Sequence, residues 1–355
     1  MKKVGIVTIY DTNNYGNRLQ NYAMQEILKK YDLDVETLKN NANTNIKNKK
    51  VVEILKRIKN FFNKVKNITN KRARYFKDFD KNINFAKKEL RYENASNFEN
   101  NYDYFITGSD QVWNPYFGRL TDIDLLKFAK PNKRISIAAS FGVNDIDKKY
   151  NEKCSNELKK FKAISVRERE GKDIINKISD DIKEVEVVLD PTMMLTAAEW
   201  EKVIKKPESL KQERYILNYF LGELDDKIKE KIERIAKENN CKIINLLDKR
   251  EEMYNSGPSE FLYLIKHAFL ICTDSFHSCV FSILFERPFL VIERKSKNNM
   301  SSRIYTLLNT FKLQNRIIKD DIHEDIIKID YTETMKILQE ERKKEENFIK
   351  NALDI

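Results

Sequence analysis

Short apolar runs alternate with amphipathic segments along most of the chain. Apolar runs of strand length occupy residues 4–10, 35–38, 102–107, 134–140, 163–167 and 184–189 in the first half, and 215–221, 242–247, 268–273 and 288–293 in the second. Apolar positions at helical spacing follow several of them, as in 225–238 and 258–268. Strands that alternate with helices are typical of parallel sheets covered by helices on both faces. The pattern therefore predicts an α/β chain with two doubly wound, Rossmann-like sheets.

The length of 355 residues and a break in the pattern near residue 195 predict two domains. We expect an N-terminal domain over 1–195, a C-terminal domain over 196–330, and a charged helix within 331–355 that is placed to cross back onto the first domain. In parallel sheets the loops at the carboxyl ends of the strands carry function. The polar turns that follow the strands should therefore face each other across a cleft.

Residues 268–303 form the stretch richest in candidate chemistry, with the pattern strand, polar turn, helix, strand and basic loop. Asp274 or Ser275 is placed to cap the helix, whose first amides and dipole suit a phosphate or a carboxylate. His277 falls in the first helical turn, beside any anion bound there. A histidine titrates near neutral pH and suits proton transfer. On the residues alone, however, a helix cap or a phosphate ligand is the commoner role for a lone histidine.

Polar turns in the first half add candidate contacts to a substrate. Asn14 and Asn17 follow the first strand and suit the hydroxyls of a sugar or the backbone of a ligand, with a simple tight turn as the alternative. Asp110, Gln111 and Trp113 follow the third predicted strand. An indole ring can stack on a sugar while acid and amide groups bind its hydroxyls. The alternative is a capped turn over a core tryptophan.

Two charged residues near strand ends have both a binding and a structural interpretation. Arg167 ends a strand, where its guanidinium can pair with an anion in fork geometry, or instead form an ion pair with Glu168 or Glu170. Glu286 precedes the last of the predicted strands and can bind a substrate hydroxyl, or instead pair with Arg287 or Arg294. Residue type does not separate the two interpretations at either position.

The net charge of +11 comes from one segment. Residues 44–92 contain 16 Lys or Arg and 4 Asp or Glu, which gives +12, so the rest of the chain is close to neutral. Apolar residues at helical spacing in 51–65 predict an amphipathic basic helix, inserted into the first domain. We favour a helix that packs its apolar side on the domain and solvates its basic side. Contact with anionic lipid is the second interpretation, and we expect no binding of nucleic acid.

Two absences bear on the compartment and on cofactors. No apolar run approaches the length that spans a membrane, and the opening residues lack the cleavage site of a secretory signal. The four cysteines form no CxxC pair, and the three histidines are scattered, so no spacing typical of a metal site is present. These features predict a cytoplasmic protein with free thiols and no metal, with the inner face of the membrane as a location if the basic segment binds lipid.

Several motifs occur in an order that resembles the polysaccharide pyruvyl transferase family over nearly the whole chain. They are NYGN, GSDQVW, SVRERE, LDPT, TDSFHS, FERPFLVIER and NNMSSR. The resemblance implies a fold like that of the GT-B glycosyltransferases. It also implies transfer of pyruvate from phosphoenolpyruvate, as donor substrate and without a cofactor, onto a sugar of a cell-surface glycan or its lipid-linked precursor as a ketal.

The resemblance also implies roles for particular residues. The family's important histidine matches His277, and a basic residue that contacts phosphoenolpyruvate matches Arg167. Some relatives carry an arginine where this chain has Ser275, so other groups must hold the anion here. The candidates in the following loop are Lys295, Lys297, Ser302 and Arg303, with Asn298 as a further cleft candidate. The first turn also departs from the Gly-Asp of many relatives.

Two other functions remain open on the sequence. A GT-B glycosyltransferase that uses a nucleotide sugar would have the same fold but a different donor. A non-catalytic basic protein that binds membrane or nucleic acid would depend on residues 44–92. The donor that binds separates the first alternative, and deletion of the basic segment tests the second.

Overall fold

The computed structural model describes residues 1–10, 13–40, 71–182, 184–211, 213–292, 302–318 and 327–355. All statements about the structure concern these residues. They form two parallel β-sheets with helices packed around them.

The first domain contains a six-stranded sheet in the order β2-β1-β3-β4-β5-β6. Every pair of neighbouring strands is parallel, and the pairing of β4 with β5 contains one irregularity between Ser136 and Ala139. The strands are β1 Lys3–Val7, β2 Asp34–Thr37, β3 Tyr104–Thr107, β4 Arg134–Ala139, β5 Ala163–Val166 and β6 Val185–Val187.

The second domain contains a five-stranded sheet in the order β11-β10-β9-β7-β8, also parallel throughout. Its strands are β7 Tyr215–Tyr219, β8 Lys242–Asn245, β9 Leu270–Thr273, β10 Phe289–Ile292 and β11 Ile317–Ile318. The predicted fold class, an α/β chain with two Rossmann-like parallel sheets, is confirmed. Most observed strands lie inside the predicted runs and are shorter at their carboxyl ends, because the polar turns there leave the sheet.

Eleven α-helices connect the strands within the described ranges. They are α1 Tyr15–Lys29, α2 Lys71–Phe79, α3 Asn151–Leu158, α4 Arg169–Ile178, α5 Pro191–Met194, α6 Ala197–Trp200, α7 Asp226–Glu238, α8 Pro258–His267, α9 Phe276–Leu284, α10 Ser302–Thr310 and α11 Thr332–Leu353. Several of them begin with a side-chain cap. The side chain of Asn14 accepts a hydrogen bond from the Asn17 amide at α1, and that of Asp225 accepts from the Lys227 amide at α7.

Apolar side chains form three buried clusters. One covers the outer face of the first sheet and includes Phe105, Trp113 and Phe161, and another covers the outer face of the second sheet around Ile216 and Leu290. The third and largest joins the inner faces of both sheets with the helices between them, including α1, α8, α9 and α11. The two domains therefore share one apolar core.

The last helix, α11, contacts the first domain. The Arg342 guanidinium donates to the carbonyl oxygens of Met193 and Leu195 at 2.7 and 2.8 Å, and Lys344 Nζ donates to the carbonyl of Val187 at 2.9 Å. These bonds tie the end of the chain to the loop that follows β6.

The basic segment is described only at its carboxyl-terminal end. Residues 41–70, which include the predicted helix, lie outside the described residues. Residues 71–92 are folded into the molecule, with Phe76, Phe79 and Leu90 buried. Arg72 is also buried, because its Nη1 donates to Tyr15 Oη at 2.7 Å and to the Tyr254 carbonyl at 2.6 Å. The segment is therefore partly a structural contact between the two domains.

Among the described residues, no helix is long and apolar enough to cross a membrane.

Candidate functional site

A cleft of about 210 Å³ lies between the carboxyl edges of the two sheets. Both domains line it. The first domain contributes residues of the turn after β1 and of the turn after β3, and the second contributes residues of the turns after β7 and β9 and of α10. Among the residues that line it are Asn14, Gly16, Asn17, Asp110, Gln111, Phe117, Leu221, Asp274, Ser275, Phe276, His277 and Arg303.

His277 lies in the first turn of α9 and lines this cleft, as the strand-turn-helix pattern predicts. Its side chain is 10% exposed, and its Nε2 atom lies 3.7 Å from Oδ2 of Asp190 in the first domain. Nε2 has no hydrogen-bond partner among the described residues. The imidazole is therefore held with its buried Nε2 turned toward a carboxylate of the first domain.

Gly16 packs directly against the imidazole from the opposite side of the cleft. A Cβ atom built on Gly16 would lie 2.1 Å from Nδ1 and 2.4 Å from Cε1 of His277, far inside normal contact distance. Only glycine fits at this position of α1 while the ring stays where it is. The first domain thus positions a histidine that belongs to the second.

A buried ion network lies beneath the cleft. Arg167 donates from Nη1 to Oδ2 of Asp190 at 2.5 Å and from Nη2 to Oδ1 of Asp110 at 3.2 Å. Asp190 also accepts from Ser109 Oγ at 2.9 Å and from the Thr192 hydroxyl at 2.6 Å. Both carboxylates are thereby fixed at the carboxyl edge of the first sheet.

The charges of this network reinforce one another. Burial alone would raise the pKa of Asp190, but Arg167, His277 and Thr192 hold the pKa well below its usual range. Burial also opposes the charge of Asp110, whose pKa is nevertheless lowered by Arg167, His277 and Arg303. The two aspartates are therefore ionised at neutral pH and keep Arg167 paired.

Arg303 brings a second guanidinium to the cleft, at the start of α10. Its Nη1 lies 3.8 Å from Oδ1 of Asp110, and its Nη2 lies 3.1 Å from the side-chain amide of Gln111. The ring of Phe276 lies near both guanidiniums, with its centroid 5.8 Å from Cζ of Arg303 and 4.5 Å from Cζ of Arg167. Among the described residues, Arg303 is the Lys or Arg that lines the cleft, whereas Arg167 is buried behind Asp110.

The turn before α9 is built differently from the predicted cap. Ser275 is the N-cap residue, but its side chain makes no capping hydrogen bond. Asp274 instead accepts from the backbone amides of Leu221 at 2.7 Å and Gly222 at 2.9 Å, which fixes the neighbouring loop. The prediction that a side chain of this turn caps the helix is wrong, because both carboxylate oxygens of Asp274 are used by the loop after β7.

Asn14, Asn17, Asp110 and Gln111, the predicted acceptor contacts, all line the cleft. Asn17 is buried, and its side-chain amide donates to Oδ2 of Asp110. Asn14 is exposed and caps α1. The structure therefore brings these four side chains together on the wall of the cleft formed by the first domain, and contact with a sugar stays a prediction.

Trp113 is not the stacking platform that the sequence suggests. Its ring is completely buried between Phe141 and Phe161, and its indole N–H donates to the carbonyl of Asp124 at 3.3 Å. A sugar has no access to a face of this ring. The alternative interpretation, a core tryptophan under a capped turn, describes the structure.

Glu286 is also not a cleft residue. It follows the last turn of α9, at the opposite end of the helix from His277, and its side chain is exposed there. A nine-residue helix is roughly 13 Å long, so the carboxylate is too far from the cleft to bind the same small ligand. Its predicted alternative partner Arg294 lies outside the described residues.

The remaining predicted ligands of the anion divide into three groups. Lys295, Lys297 and Asn298 lie outside the described residues. Ser302 begins α10 and is buried, outside the set of described residues that line the cleft. Arg167 forms its ion pairs with two aspartates rather than with Glu168 or Glu170, and a direct contact between Arg167 and a substrate stays a prediction.

Asp190 and Gly16 are the residues of the site that the sequence did not single out. Asp190 precedes a proline and a threonine, a sequence that indicates a helix cap, and it does cap α5 through the Thr192 amide. Its second role depends on Arg167 and His277, which are distant in the sequence. In the sequence Gly16 belongs to a predicted polar turn, and many turns contain a glycine for reasons unrelated to a site.

The arrangement suits proton transfer next to a bound anion. His277 and Arg303 line one cleft together with the start of α9, where backbone amides and the helix dipole favour negative charge. The carboxylates of Asp110 and Asp190 balance the guanidinium of Arg167 below. No group of three His, Cys, Asp or Glu side chains in the described part of the chain is arranged to hold a metal ion.

Comparison with known protein families identifies the chain. The family model of polysaccharide pyruvyl transferase matches residues 14–296, which include His277, Asp190 and the cleft turns of both domains. The chain belongs to the polysaccharide pyruvyl transferase family. Membership in this family makes it a transferase of polysaccharide biosynthesis with a saccharide acceptor. A search of curated proteins gave no match.

Solved structures with a similar fold include an epimerase, MurG and a heptosyltransferase. The UDP-GlcNAc 2-epimerase of Methanocaldococcus jannaschii matches with a TM-score of 0.49 and 16% identity over 95% of this pyruvyl transferase family chain and 92% of its own. MurG of Acinetobacter baumannii matches with a TM-score of 0.38 and 10% identity, over 98% of this chain and 95% of its own. The ADP-heptose LPS heptosyltransferase II of E. coli matches with a TM-score of 0.37 and 11% identity, over 97% of this chain and 99% of its own.

Proposed function

We propose that this member of the polysaccharide pyruvyl transferase family moves pyruvate from phosphoenolpyruvate onto a sugar, as a ketal, with release of phosphate. The acceptor would be a sugar of a cell-surface glycan or of its lipid-linked precursor. The observation that carries the proposal is the position of His277, beside Arg303 and the start of α9 in a cleft between two parallel sheets. No cofactor is required, because the donor supplies the group that is transferred.

The donor brings a phosphate and a carboxylate, so its site needs fixed positive charge. Arg303 offers a guanidinium at the cleft wall, and the first amides of α9 have no side-chain cap at Ser275. A guanidinium and helix amides are both suited to binding oxyanions. Arg167 takes part indirectly, because it keeps Asp110 in place against Arg303. Lys295 and Lys297 remain proposed additional cations.

The reaction requires the loss of two hydroxyl protons and the gain of one proton each by carbon and by phosphate, and a histidine can serve such transfers. One sugar hydroxyl adds to the central carbon of the enol as a proton arrives at the methylene carbon. Phosphate then leaves, and the oxocarbenium centre that forms is captured by the second hydroxyl, which loses its proton. Two hydroxyl protons are thus released, one of which matches the proton gained by carbon and the other the one that leaves with phosphate. We assign this acid and base work to His277, which lines the cleft and whose Nε2 lies 3.7 Å from the carboxylate of Asp190.

The acceptor is proposed to bind the first domain. Asn14, Asn17 and Gln111 line that wall with amide groups, and Asp110 adds a carboxylate. Amides and carboxylates are suited to binding vicinal hydroxyls in a partly apolar cleft. A lipid-linked acceptor would place the enzyme at the inner face of the membrane, and residues 44–92 offer the positive charge to bind anionic lipid there.

The test is incubation of the protein with phosphoenolpyruvate and a panel of simple and lipid-linked glycosides. Phosphate should appear together with a sugar that has gained the mass of a pyruvyl ketal. The same panel with nucleotide sugars examines the rival donor, and transfer of a sugar instead of pyruvate would overturn the proposal. His277→Gln should abolish ketal formation with the fold intact, and near-normal turnover by that variant would remove His277 from the mechanism.

Membrane contact is tested separately. A variant with Lys56, Lys59, Lys64 and Lys66 changed to Gln should bind vesicles of anionic phospholipid more weakly than the parent chain, because each basic residue near such a surface contributes about 1 kcal/mol. Equal binding, or no binding by either protein, would show that these residues have no role at a membrane. Turnover with a simple glycoside should be the same in both proteins.

A further inference from the structure

Six large hydrophobic side chains are strongly exposed among the described residues, and two of them line the cleft. Phe117 is 52% exposed and belongs to the first domain, and Leu221 is 51% exposed and belongs to the second. An isolated exposed hydrophobic side chain needs no explanation, but two that line one cleft, together with polar side chains, indicate a contact with a ligand. Leu221 is held in place through its backbone amide by Asp274.

The turn that carries Phe117 is rigid. Residues Pro115–Phe117 form a 3-10 turn, capped by Asn114 at its start and closed by Gly118, whose φ of +67° is easy only for glycine. Asn114 Nδ2 also donates to Oε1 of Gln111 at 2.7 Å, and Pro115 is buried. The backbone that carries the ring is therefore held next to the amides of the cleft wall.

We propose that Phe117 is the platform on which the acceptor sugar stacks. The C–H face of a pyranose is apolar and matches a flat aromatic ring, while its hydroxyls need polar partners at the ring edge. Phe117 offers the aromatic ring along one wall of the cleft. The polar partners on the same wall are Gln111, Asn17 and Asp110. The inference deepens the proposed function, since it rests on a saccharide acceptor in this cleft. It assigns to Phe117 the role that the buried Trp113 cannot have.

The neighbouring residue provides a matched control. Tyr116 is 49% exposed and is close to Phe117 in exposure and in size. It is not among the described residues that line the cleft. Its hydroxyl points to Asp147, at 3.5 Å. Loss of either ring should leave the fold intact, because both are on the surface.

The experiment compares the full chain with Phe117→Ala, Phe117→Trp and Tyr116→Ala. The steady-state rate of pyruvyl transfer is measured as a function of acceptor concentration and of phosphoenolpyruvate concentration. Binding of methyl glycosides is measured without the donor by saturation-transfer NMR. Phe117→Ala should raise the KM for the acceptor about tenfold, the factor expected if roughly 50 Å² of apolar surface leaves water on binding. The kcat and the KM for phosphoenolpyruvate should stay as in the parent, and Trp at position 117 should restore acceptor binding.

The outcomes separate the inference from the proposed function. Weaker glycoside binding by Phe117→Ala, with no transfer by any variant, would support stacking and reject pyruvyl transfer. Equal acceptor KM and glycoside binding in Phe117→Ala and Tyr116→Ala would reject stacking and leave pyruvyl transfer standing. A loss confined to polyprenyl-linked acceptors would also reject stacking, because Phe117 would then contact the lipid. Failure of all glycosides to bind the parent chain would count against the inference as well.

Discussion

Gly16 and His277 face each other across the cleft so closely that no side chain fits between them. A Cβ atom on residue 16 would lie 2.1 Å from Nδ1 of the imidazole. The candidate catalytic histidine belongs to the second domain, yet its ring position is limited by the first helix of the first domain. The geometry of the site is therefore a property of how the two domains are joined.

Gly16→Ala should reduce turnover without unfolding the protein. The added methyl group must displace the imidazole, and a misplacement of about 1 Å at a reacting group costs roughly a hundredfold in rate. Steady-state kinetics should show a lower kcat, and thermal unfolding should change little. Gly171→Ala is the matched control, since the methyl group there would lie 3.3 Å from Val166 Cβ and touch no part of His277. Similar kinetics for both variants would contradict the packing described.

Asp190→Asn should cost both stability and activity. The change removes one of the two carboxylates that neutralise Arg167 and the one next to His277. Loss of a partner from a buried ion pair typically costs about 3–5 kcal/mol. Urea denaturation measures this loss. Ser109→Ala, which removes only a neutral donor to the same carboxylate, should cost about 0.5–1.5 kcal/mol.

The same carboxylate predicts a dependence of stability on acid pH. Because the pKa of Asp190 is lowered in the folded protein, its stabilisation is present above the ordinary carboxyl pKa of about 3.9 and is lost as the pH falls through the lower, folded value. The free energy of unfolding of the parent should therefore decline below about pH 4. The decline should be shallower in Asp190→Asn, and parallel pH curves would contradict the role of this residue.

Glu345→Gln should stabilise the protein at neutral pH. Glu345 is fully buried in α11, and neither carboxyl oxygen has a hydrogen-bond partner of normal geometry among the described residues. Burial and then the charge of Asp190 raise the pKa of Glu345 well above its usual range, against a smaller effect of the Leu189 amide. A neutral amide avoids the cost of this buried acid, with a gain of about 1–3 kcal/mol. Glu346→Gln, on the exposed side of the helix, should change stability by less than about 0.5 kcal/mol.

The gain should depend on pH in a defined direction. A carboxyl whose pKa is raised by folding favours the folded state below its unfolded pKa, about 4.3, and this contribution is lost as the pH rises toward the folded value. The advantage of Glu345→Gln should be small near pH 4 and grow above it. A difference that is constant from pH 4 to pH 8 would show that Glu345 is not held as a neutral acid.

Arg72→Met should weaken the contact between the domains. The guanidinium of Arg72 donates to Tyr15 Oη and to the Tyr254 carbonyl, and Cζ lies 4.7 Å from the ring centroid of Tyr15. Hydrogen bonds from a charged donor contribute about 1.5–3 kcal/mol, and the free energy of unfolding should fall by that amount. Arg74→Met, an exposed change on the same helix, should have almost no effect. Equal stability of the two variants would show that Arg72 does not join the domains.

The strands and the position of His277 were within reach of the sequence because both depend on local pattern. Residues 268–272 form a continuous apolar run, and Phe276, Val280 and Ile283 then repeat at helical spacing. A turn between such elements must lie at the carboxyl edge of the sheet. The location of His277 follows from that rule before any packing is known.

The sequence did not predict which individual side chains at those turns are buried and which are exposed. Trp113 and Phe117 are four residues apart in the same loop, yet one is completely buried and the other is 52% exposed. The difference arises from packing of Trp113 against Phe141 and Phe161, which belong to other parts of the first domain. Composition favours the indole as the sugar platform, and tertiary packing excludes it.

Charge counting leaves the partners of single cations open for a similar reason. The helix predicted for the basic segment lies outside the described residues, and Arg72, further along that segment, is enclosed by aromatic rings and bonded to the other domain. Likewise, Arg167 could be assigned to an anion at a strand end, but not to the particular pair Asp110 and Asp190. Ion pairs between residues distant in sequence depend on the register of the whole sheet.

The apolar cluster shared by the inner faces of both sheets has a consequence for how the protein melts. Chains with two separate cores usually lose them one after the other, with two heat-absorption peaks. Here Tyr15 of the first domain stacks on Phe261 of the second, with ring centroids 4.5 Å apart. Because the apolar cluster is shared, unfolding of either domain would expose buried apolar side chains of the other domain. Differential scanning calorimetry should record one endotherm, and the halves expressed as separate polypeptides should aggregate.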